Sequence, residues 1–313
     1  MIQALFDSAA NGDRKALARA ISRVEAGGPE VTALCGSLKP RRSQSPGSPV
    51  VVGITGPPGA GKSTLVNHLI RGARAKGKTV GVVAVDPSSP FLGGAILADR
   101  IRMEEHSLDL GVFVRSLSSR GHLGGLTRAA GQVVDLMDAA GFDVVLVETV
   151  GVGQSELAVC EVADTVVVVL TTESGDTVQT MKAGLLEIAD VFVVNKADRS
   201  GAKKLSAELE EAVELDGFRA YPAPVLTTSA QNLEGLEALG EAIATHAEWC
   251  AGAGLEVWSK RRSLGRIRTF LDLVAEHSRS LAAAGFEEAP ELLKGLQDGS
   301  INPYVAAERW VSR

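Results

Sequence analysis

No stretch of the 313-residue chain reaches the roughly 18 uninterrupted apolar residues that a membrane-spanning helix needs. The opening MIQALFDSAANGDRKALARA lacks a basic stretch leading into an apolar run and a small-residue cleavage site, so no secretory signal is expected and the cytoplasm is the expected compartment. Cysteine is scarce. Cys35, Cys160 and Cys250 are odd in number, far apart and in no CxxC pair, which points to neither a disulfide framework nor a zinc site and leaves them as free thiols. A basic excess is missing too: 32 Lys and Arg stand against 38 Asp and Glu, a net charge of -6, so general nucleic-acid binding has no electrostatic footprint and a protein partner is the more natural expectation. What is present, 45% hydrophobic and 22% charged residues, is ordinary globular material, long enough for one large domain or one domain with helical extensions.

Between Asp13 and Glu25, Leu17, Ala20, Ile21 and Val24 recur at helical spacing on a polar background, which predicts an amphipathic helix near the start. Gly36 to Pro49, GSLKPRRSQSPGSP, reads as a linker. Seven short apolar runs then alternate with helical stretches: Val50 to Thr55, Thr79 to Val85, Gly111 to Val114, Asp143 to Val147, Thr165 to Leu170, Val191 to Val194 and Pro224 to Thr227. Continuous Val-rich runs are what strands buried on both faces require, so an α/β three-layer domain is expected, with a mostly parallel sheet of about seven strands. Beyond Ala244 the pattern turns helical. Leu264, Ile267, Leu271, Val274 and Leu281 form a heptad-like stripe between Trp258 and Ala284, and a last helix is expected from Asn302-Pro303, with Asn as cap and Pro at the first helical position. The expected organisation is a helical extension and linker over 1–45, an α/β domain over 46–245 and a helical segment over 246–313.

Three motifs carry chemistry. Gly56-Pro-Pro-Gly-Ala-Gly-Lys-Ser63 fits G-x-x-x-x-G-K-[ST] between the strand VVVGIT and a helix-compatible stretch from Thr64, a context that leaves little room for a ligand-free turn. Backbone N–H groups of Gly56, Gly59, Ala60, Gly61 and onward to Thr64 can wrap phosphate oxygens, with Pro58, which has no N–H to give, shaping the loop between them; Lys62 reaches the β and γ oxygens, and the Ser63 hydroxyl suits Mg2+. Asn195-Lys196-Ala-Asp198 ends an apolar run in the N-K-x-D arrangement: Asp198 can accept from both the N1-H and the 2-amino group of guanine, Asn195 would hold the loop and Lys196 would pack its stem along the base. Ser229-Ala230-Gln231, one strand later, resembles the loop whose amide meets guanine O6. Asp86 and Glu148 end two further strands, where carboxylates can support a Mg2+ held by phosphate oxygens, although an acid at a strand end is also a common helix cap. Gly151 and Gly153 give mobility, and Gln154 can orient water from a position unlike that of the usual switch glutamine. Hydrolysis of GTP by a positioned water then needs no nucleophile from the protein, with Lys62, Asp86 and Glu148 the expected catalytic supports. Arg100, Arg102, Arg115, Arg120 and Arg128 are candidate arginine fingers.

With these motifs placed, the chain resembles the MeaB/ArgK family, known in animals as the methylmalonic aciduria type A protein, within the SIMIBI class of P-loop GTPases. The likeness runs nearly full length, through GDRKALARAISRVE, VGITGPPGAGKSTL, VAVDPSSPFLGGAILADRIRM, FDVVLVETVGVGQSE and IADVFVVNKAD. It implies a homodimeric chaperone that couples the GTP/GDP cycle with Mg2+ to delivery of adenosylcobalamin to an acyl-CoA mutase, mainly methylmalonyl-CoA mutase, and to that enzyme's protection. It also adds Asp99 to Ser63, Asp86 and Glu148 around Mg2+, and marks Glu173 to Lys182 as the segment that communicates with the mutase. Ser-Pro-Phe-Leu at 89–92 and Arg100 depart from the family pattern, which leaves open which acyl-CoA mutase is the client. Two other classes share parts of this pattern. A metal-insertion GTPase of the hydrogenase or urease type would need a metal-handling cluster, whereas His68, His106, His122, His246 and His277 are dispersed; a small-molecule kinase would need an acceptor site with a base, and none is evident.

Overall fold

The computed structural model describes residues 2–38, 50–86, 106, 108–118, 123–149, 159–174, 184, 186–215 and 219–311. Three helices come first, α1 (Ile2–Ala10), α2 (Arg14–Ala26) and α3 (Pro29–Ser37). The α/β alternation follows: β1 (Val50–Thr55), α4 (Lys62–Ala75), β2 (Val80–Asp86), β3 (Val112–Ser118), α5 (Leu123–Ala139), β4 (Val144–Thr149), β5 (Thr165–Leu170), β6 (Val191–Asn195), α6 (Ala202–Leu215), β7 (Val225–Thr228) and α7 (Leu236–Ala251). Helices α8 (Leu255–Glu288), α9 (Pro290–Gln297) and α10 (Pro303–Val311) end the chain.

The seven strands form one sheet in the order β3-β2-β4-β1-β5-β6-β7, and every pairing is parallel. Successive residues of a strand face opposite sides, and both sides are apolar here. Val51, Val145, Val147, Val166, Val168, Phe192 and Val194 point to a core shared with α2 and α5, while Val52, Ile54, Leu146, Val167, Val169, Val191 and Val193 point to one shared with α4 and α7. This is why the strands read as unbroken apolar runs, and why the class is a three-layer α/β domain. Each fully buried Val, Leu, Ile or Phe contributes about 1.5–3 kcal/mol, so the two cores fix the sheet and the loops at its ends ride on it.

The N-terminal helices belong to this structure. Phe6 and Ala9 of α1 and Leu17, Ala20, Ile21 and Val24 of α2 are buried in the same core as Val133 and Met137 of α5. Asp13 caps α2 by accepting from the amides of Lys15 (2.9 Å) and Ala16 (3.1 Å), which satisfies two of the helix's open donors. Helix α1 has too few turns to announce itself by periodicity, and α3 carries Gly36 and Ser37, two residues expected in the linker, into helix. The Ser37 hydroxyl donates to the Leu34 carbonyl at 2.7 Å, which closes that last turn.

Contacts divide the chain into two compact units, Met1–Gly265 and Arg266–Arg313. Within the second, the Trp310 ring lies against Gly285 and Ile301 against Gly295, so larger side chains at either glycine would displace them. The residues of the stripe expected on α8, Leu264, Ile267, Leu271, Val274 and Leu281, are exposed, as is Phe270 beside them. No helix among the described residues is long and apolar enough to cross a membrane.

Candidate functional site

The C-terminal ends of β1, β4, β6 and β7 meet at one edge of the sheet, where ligands of open α/β folds bind. The loop leaving β1 turns through positive φ at Gly56 (136°), Gly59 (75°) and Gly61 (88°) before entering α4. Two of these glycines are required by their neighbours as well as by their backbone. A Cβ at Gly56 would strike the carbonyl of Val169 on β5, and one at Gly61 would strike the side-chain amide of Asn195. Pro58, Gly59 and Thr64 lie at the exposed rim, while Ala60 is buried. The buried Lys62 donates from Nζ to the carbonyls of Gly56 (2.8 Å) and Pro57 (2.9 Å), so its charge is held over the loop.

Ser63, on the first turn of α4, donates from Oγ to Oε1 of the buried Glu148 on β4 at 2.6 Å. The two side chains expected to share a metal therefore stand within one hydrogen bond of each other, and a hydroxyl with a carboxylate is the all-oxygen chemistry that a hard cation such as Mg2+ favours. Asp86 is the last residue of β2, level with Ser118 of β3 and one position beyond the pairing of Val85 with Thr149, but Asp99, Gly151, Gly153 and Gln154 lie outside the described residues, as do 175–182. Of the candidate arginine fingers, Arg115 is described in full: it extends from β3 to α2, where it pairs with Glu25 and donates to Ser22 Oγ at 2.9 Å. Its guanidinium thus fastens a helix to the sheet.

The second loop is joined to the first through Asn195. Its side chain, buried at the end of β6, donates to the Ala60 carbonyl at 2.8 Å and accepts from Thr228 Oγ1 of β7 at 2.9 Å. One amide thereby ties the phosphate loop, β6 and β7 together. Lys196 follows with φ +58°, a left-handed conformation uncommon for a residue with a side chain, and its ammonium pairs with Glu173 at 2.8 Å; Arg199 pairs with the same carboxylate. Asp198 is exposed, and its Oδ1 accepts from Oγ of the fully buried Ser229 at 2.7 Å. Ser229 in turn accepts from the amide of Asn232 at 3.3 Å and pairs with Glu234 across a short bridge. Ala230 and Gln231 sit on that turn, half-buried and exposed. Thr228 and Glu173 are the contributors that the motifs do not reveal: Thr228 is one of several hydroxyls at a strand end, and Glu173 is brought to the base loop by the turn after β5.

Residues 17–285 match the family model for the methylmalonyl-CoA mutase-associated GTPase MeaB. The chain belongs to the MeaB family of GTPases. A Pyrococcus abyssi protein named as a GTPase is 42% identical over 315 residues, covering 98% of this chain and 95% of its own. The mouse protein named methylmalonic aciduria type A homolog, mitochondrial, is 32% identical over 325 residues, covering 98% of this chain and 78% of its own. The crystal structure of a LAO/AO transport system kinase superposes with a TM-score of 0.69 at 26% identity, covering 99% of this chain and 96% of that one. This MeaB-family chain is accordingly a nucleotide-binding P-loop GTPase with a parallel α/β fold.

Proposed function

We propose that this GTPase binds Mg-GTP at the edge formed by β1, β4, β6 and β7, reads guanine with Asp198, and uses the nucleotide cycle to gate adenosylcobalamin delivery to methylmalonyl-CoA mutase or a related acyl-CoA mutase, which it also protects. The observation that carries the nucleotide part is the bond from Asn195 to Ala60, because it ties the phosphate loop directly to the base loop. Asp198, steadied by Ser229, keeps its second oxygen and its charge for the donor pair of guanine; adenine has no such pair in that geometry. Ser63 and Glu148, with Asp86 and Asp99, would hold the Mg2+, which when bound supplies charge neutralisation to the phosphate oxygens. The protein's own part in hydrolysis is electrostatic and positional. The loop amides between Gly56 and Thr64 and the Lys62 ammonium face the charge that spreads over the transferring phosphoryl group, and no residue is consumed.

The mutase part rests on the family match and the likeness to the mouse protein. Glu173 supports it physically, since it begins the segment compared with the mutase-communicating region and pairs with Lys196 in the base loop. The exposed stripe on α8 is the surface we assign to a homodimer. Co-purification of the chain with candidate acyl-CoA mutase subunits under GTP and under GDP tests the assignment. The expected result is nucleotide-dependent co-elution with one mutase and a hydrolysis rate raised by it; no association in either state, with a rate unmoved by every mutase, would overturn it.

A further inference from the structure

The opposite edge of the same sheet holds a cavity of about 160 Å3, on the scale that accommodates one benzene-sized guest and far too small for a nucleotide. It opens where β5, β6 and β7 begin, between the residues before these strands, the C-terminal half of α7 and the first turns of α8. Its walls are aromatic: Tyr221 packs against His246 with ring centroids 4.6 Å apart and against Trp249 at 5.1 Å, and Trp258 completes the lining. Carboxylates lie among the rings. Asp190 accepts at Oδ2 from Arg261 Nη1 and from the amide of Val166, both at 2.8 Å, and its Oδ1 stands 3.5 Å from His246 Nε2. Asp164 is 5% exposed; its Oδ1 accepts from Trp258 Nε1 at 3.0 Å with Arg262 Nη1 3.7 Å away, and its Oδ2 is buried with no hydrogen-bond partner among the described residues.

A buried carboxylate oxygen without a donor is costly, and one beside aromatic faces is the arrangement that attracts a cation carrying N–H groups. The described cations do not supply that donor: Arg262 stands beside the other oxygen, at 3.7 Å, and donates to the Val162 carbonyl at 3.1 Å. Arg261 is committed to Asp190, and Arg219 donates to the Ala189 carbonyl at 2.6 Å and lies over the Phe192 ring. His246 bonds with Thr165 Oγ1 at 2.8 Å through Nδ1, and burial keeps it neutral against the pull of Asp190. We propose that this cavity binds a small organic cation, an ammonium or guanidinium group on a short alkyl stem, with Asp164 as its hydrogen-bond acceptor and the Tyr221 and Trp249 rings around the stem. The site is separate from the nucleotide loops, and its test does not depend on them.

Two of the chain's three tryptophans, Trp249 and Trp258, line the cavity, so binding can be read directly from their fluorescence, in the full-length chain and in a Trp310→Phe background. Propylammonium and propylguanidinium should each give a saturable change that 1-butanol and sodium chloride at matched ionic strength do not. Asp164→Asn should weaken binding about tenfold or more, the loss of one charge-assisted hydrogen bond, with GTP hydrolysis unchanged. Tyr221→Leu, at a half-buried position, should weaken it as well and serves if Asp164→Asn does not fold. A response to the cations no different from that to sodium chloride, equal competition by 1-butanol, or undiminished affinity in a folded variant would overturn the proposal.

Discussion

The two edges of this sheet are built by different means. At the C-terminal edge the geometry is made by backbone: three glycines at positive φ, a left-handed Lys196, and carbonyls and amides joined by the Asn195 side chain. At the N-terminal edge it is made by side chains: His246 stacked on Trp249 with Tyr221 packed edge-on to His246 and tilted against Trp249, and Asp190 and Arg261 paired beside them. Backbone-built loops depend on residues at fixed spacing and cannot drift, whereas a side-chain cluster can be assembled from any part of the chain that packs there. The first edge therefore has to be tested by removing particular groups, and the second by removing shape and charge.

Lys62→Ala should have the largest effect. It removes the one cation in the phosphate loop and should lower GTP affinity by about 100-fold or more, read by calorimetry, while the N-terminal cavity and the folded core stay as they are. Asp198→Asn should follow, replacing a double acceptor with an amide and shifting preference from guanine towards xanthine by roughly 10–100-fold in nucleotide competition. Retained guanine preference in that variant would break the assignment of the base loop.

These sites were legible because the chemistry fixes both residue type and spacing. Gly56 to Ser63 and Asn195 to Asp198 each sit at a strand end that the apolar runs had already marked, and the structure brings the two within hydrogen-bonding reach. The three-layer fold was legible for a related reason, since a strand buried on both faces has to be apolar throughout, as Val166 to Leu170 are. Helix α1 was not, because its nine residues contain too little periodicity, and its place was decided by tertiary burial of Phe6 and Ala9. Nor was the role of Thr228, one hydroxyl among several, or the aromatic cavity, whose members run from Asp164 to Arg261 without any repeating interval.

Smaller effects would refine the contrast. Gly61→Ala forces a side chain into a left-handed position against Asn195 and should cost about 1–3 kcal/mol in chemical denaturation, with a matching loss of GTP affinity. Thr228→Val leaves the Asn195 oxygen without its donor and should cost about 1–2 kcal/mol, lowering both the melting temperature and GTP affinity. The mildest test is pH. Burial, which outweighs the attraction of Asp190, holds the His246 pKa below its ordinary value of about 6.5, so the unfolded chain takes up the proton first as pH falls. The stability tied to this neutral histidine is complete above about pH 6.5 and is lost progressively below it, and His246→Gln should flatten that part of the urea-midpoint profile.

Calorimetric titration of the purified chain with GTP and with ATP, in magnesium, bears most directly on the joined phosphate and base loops. Saturable heat with GTP and none, or far weaker binding, with ATP is the expected result. Equal affinity for the two nucleotides, or no heat with GTP, would contradict the assignment of Asp198 and of the loop that Asn195 anchors.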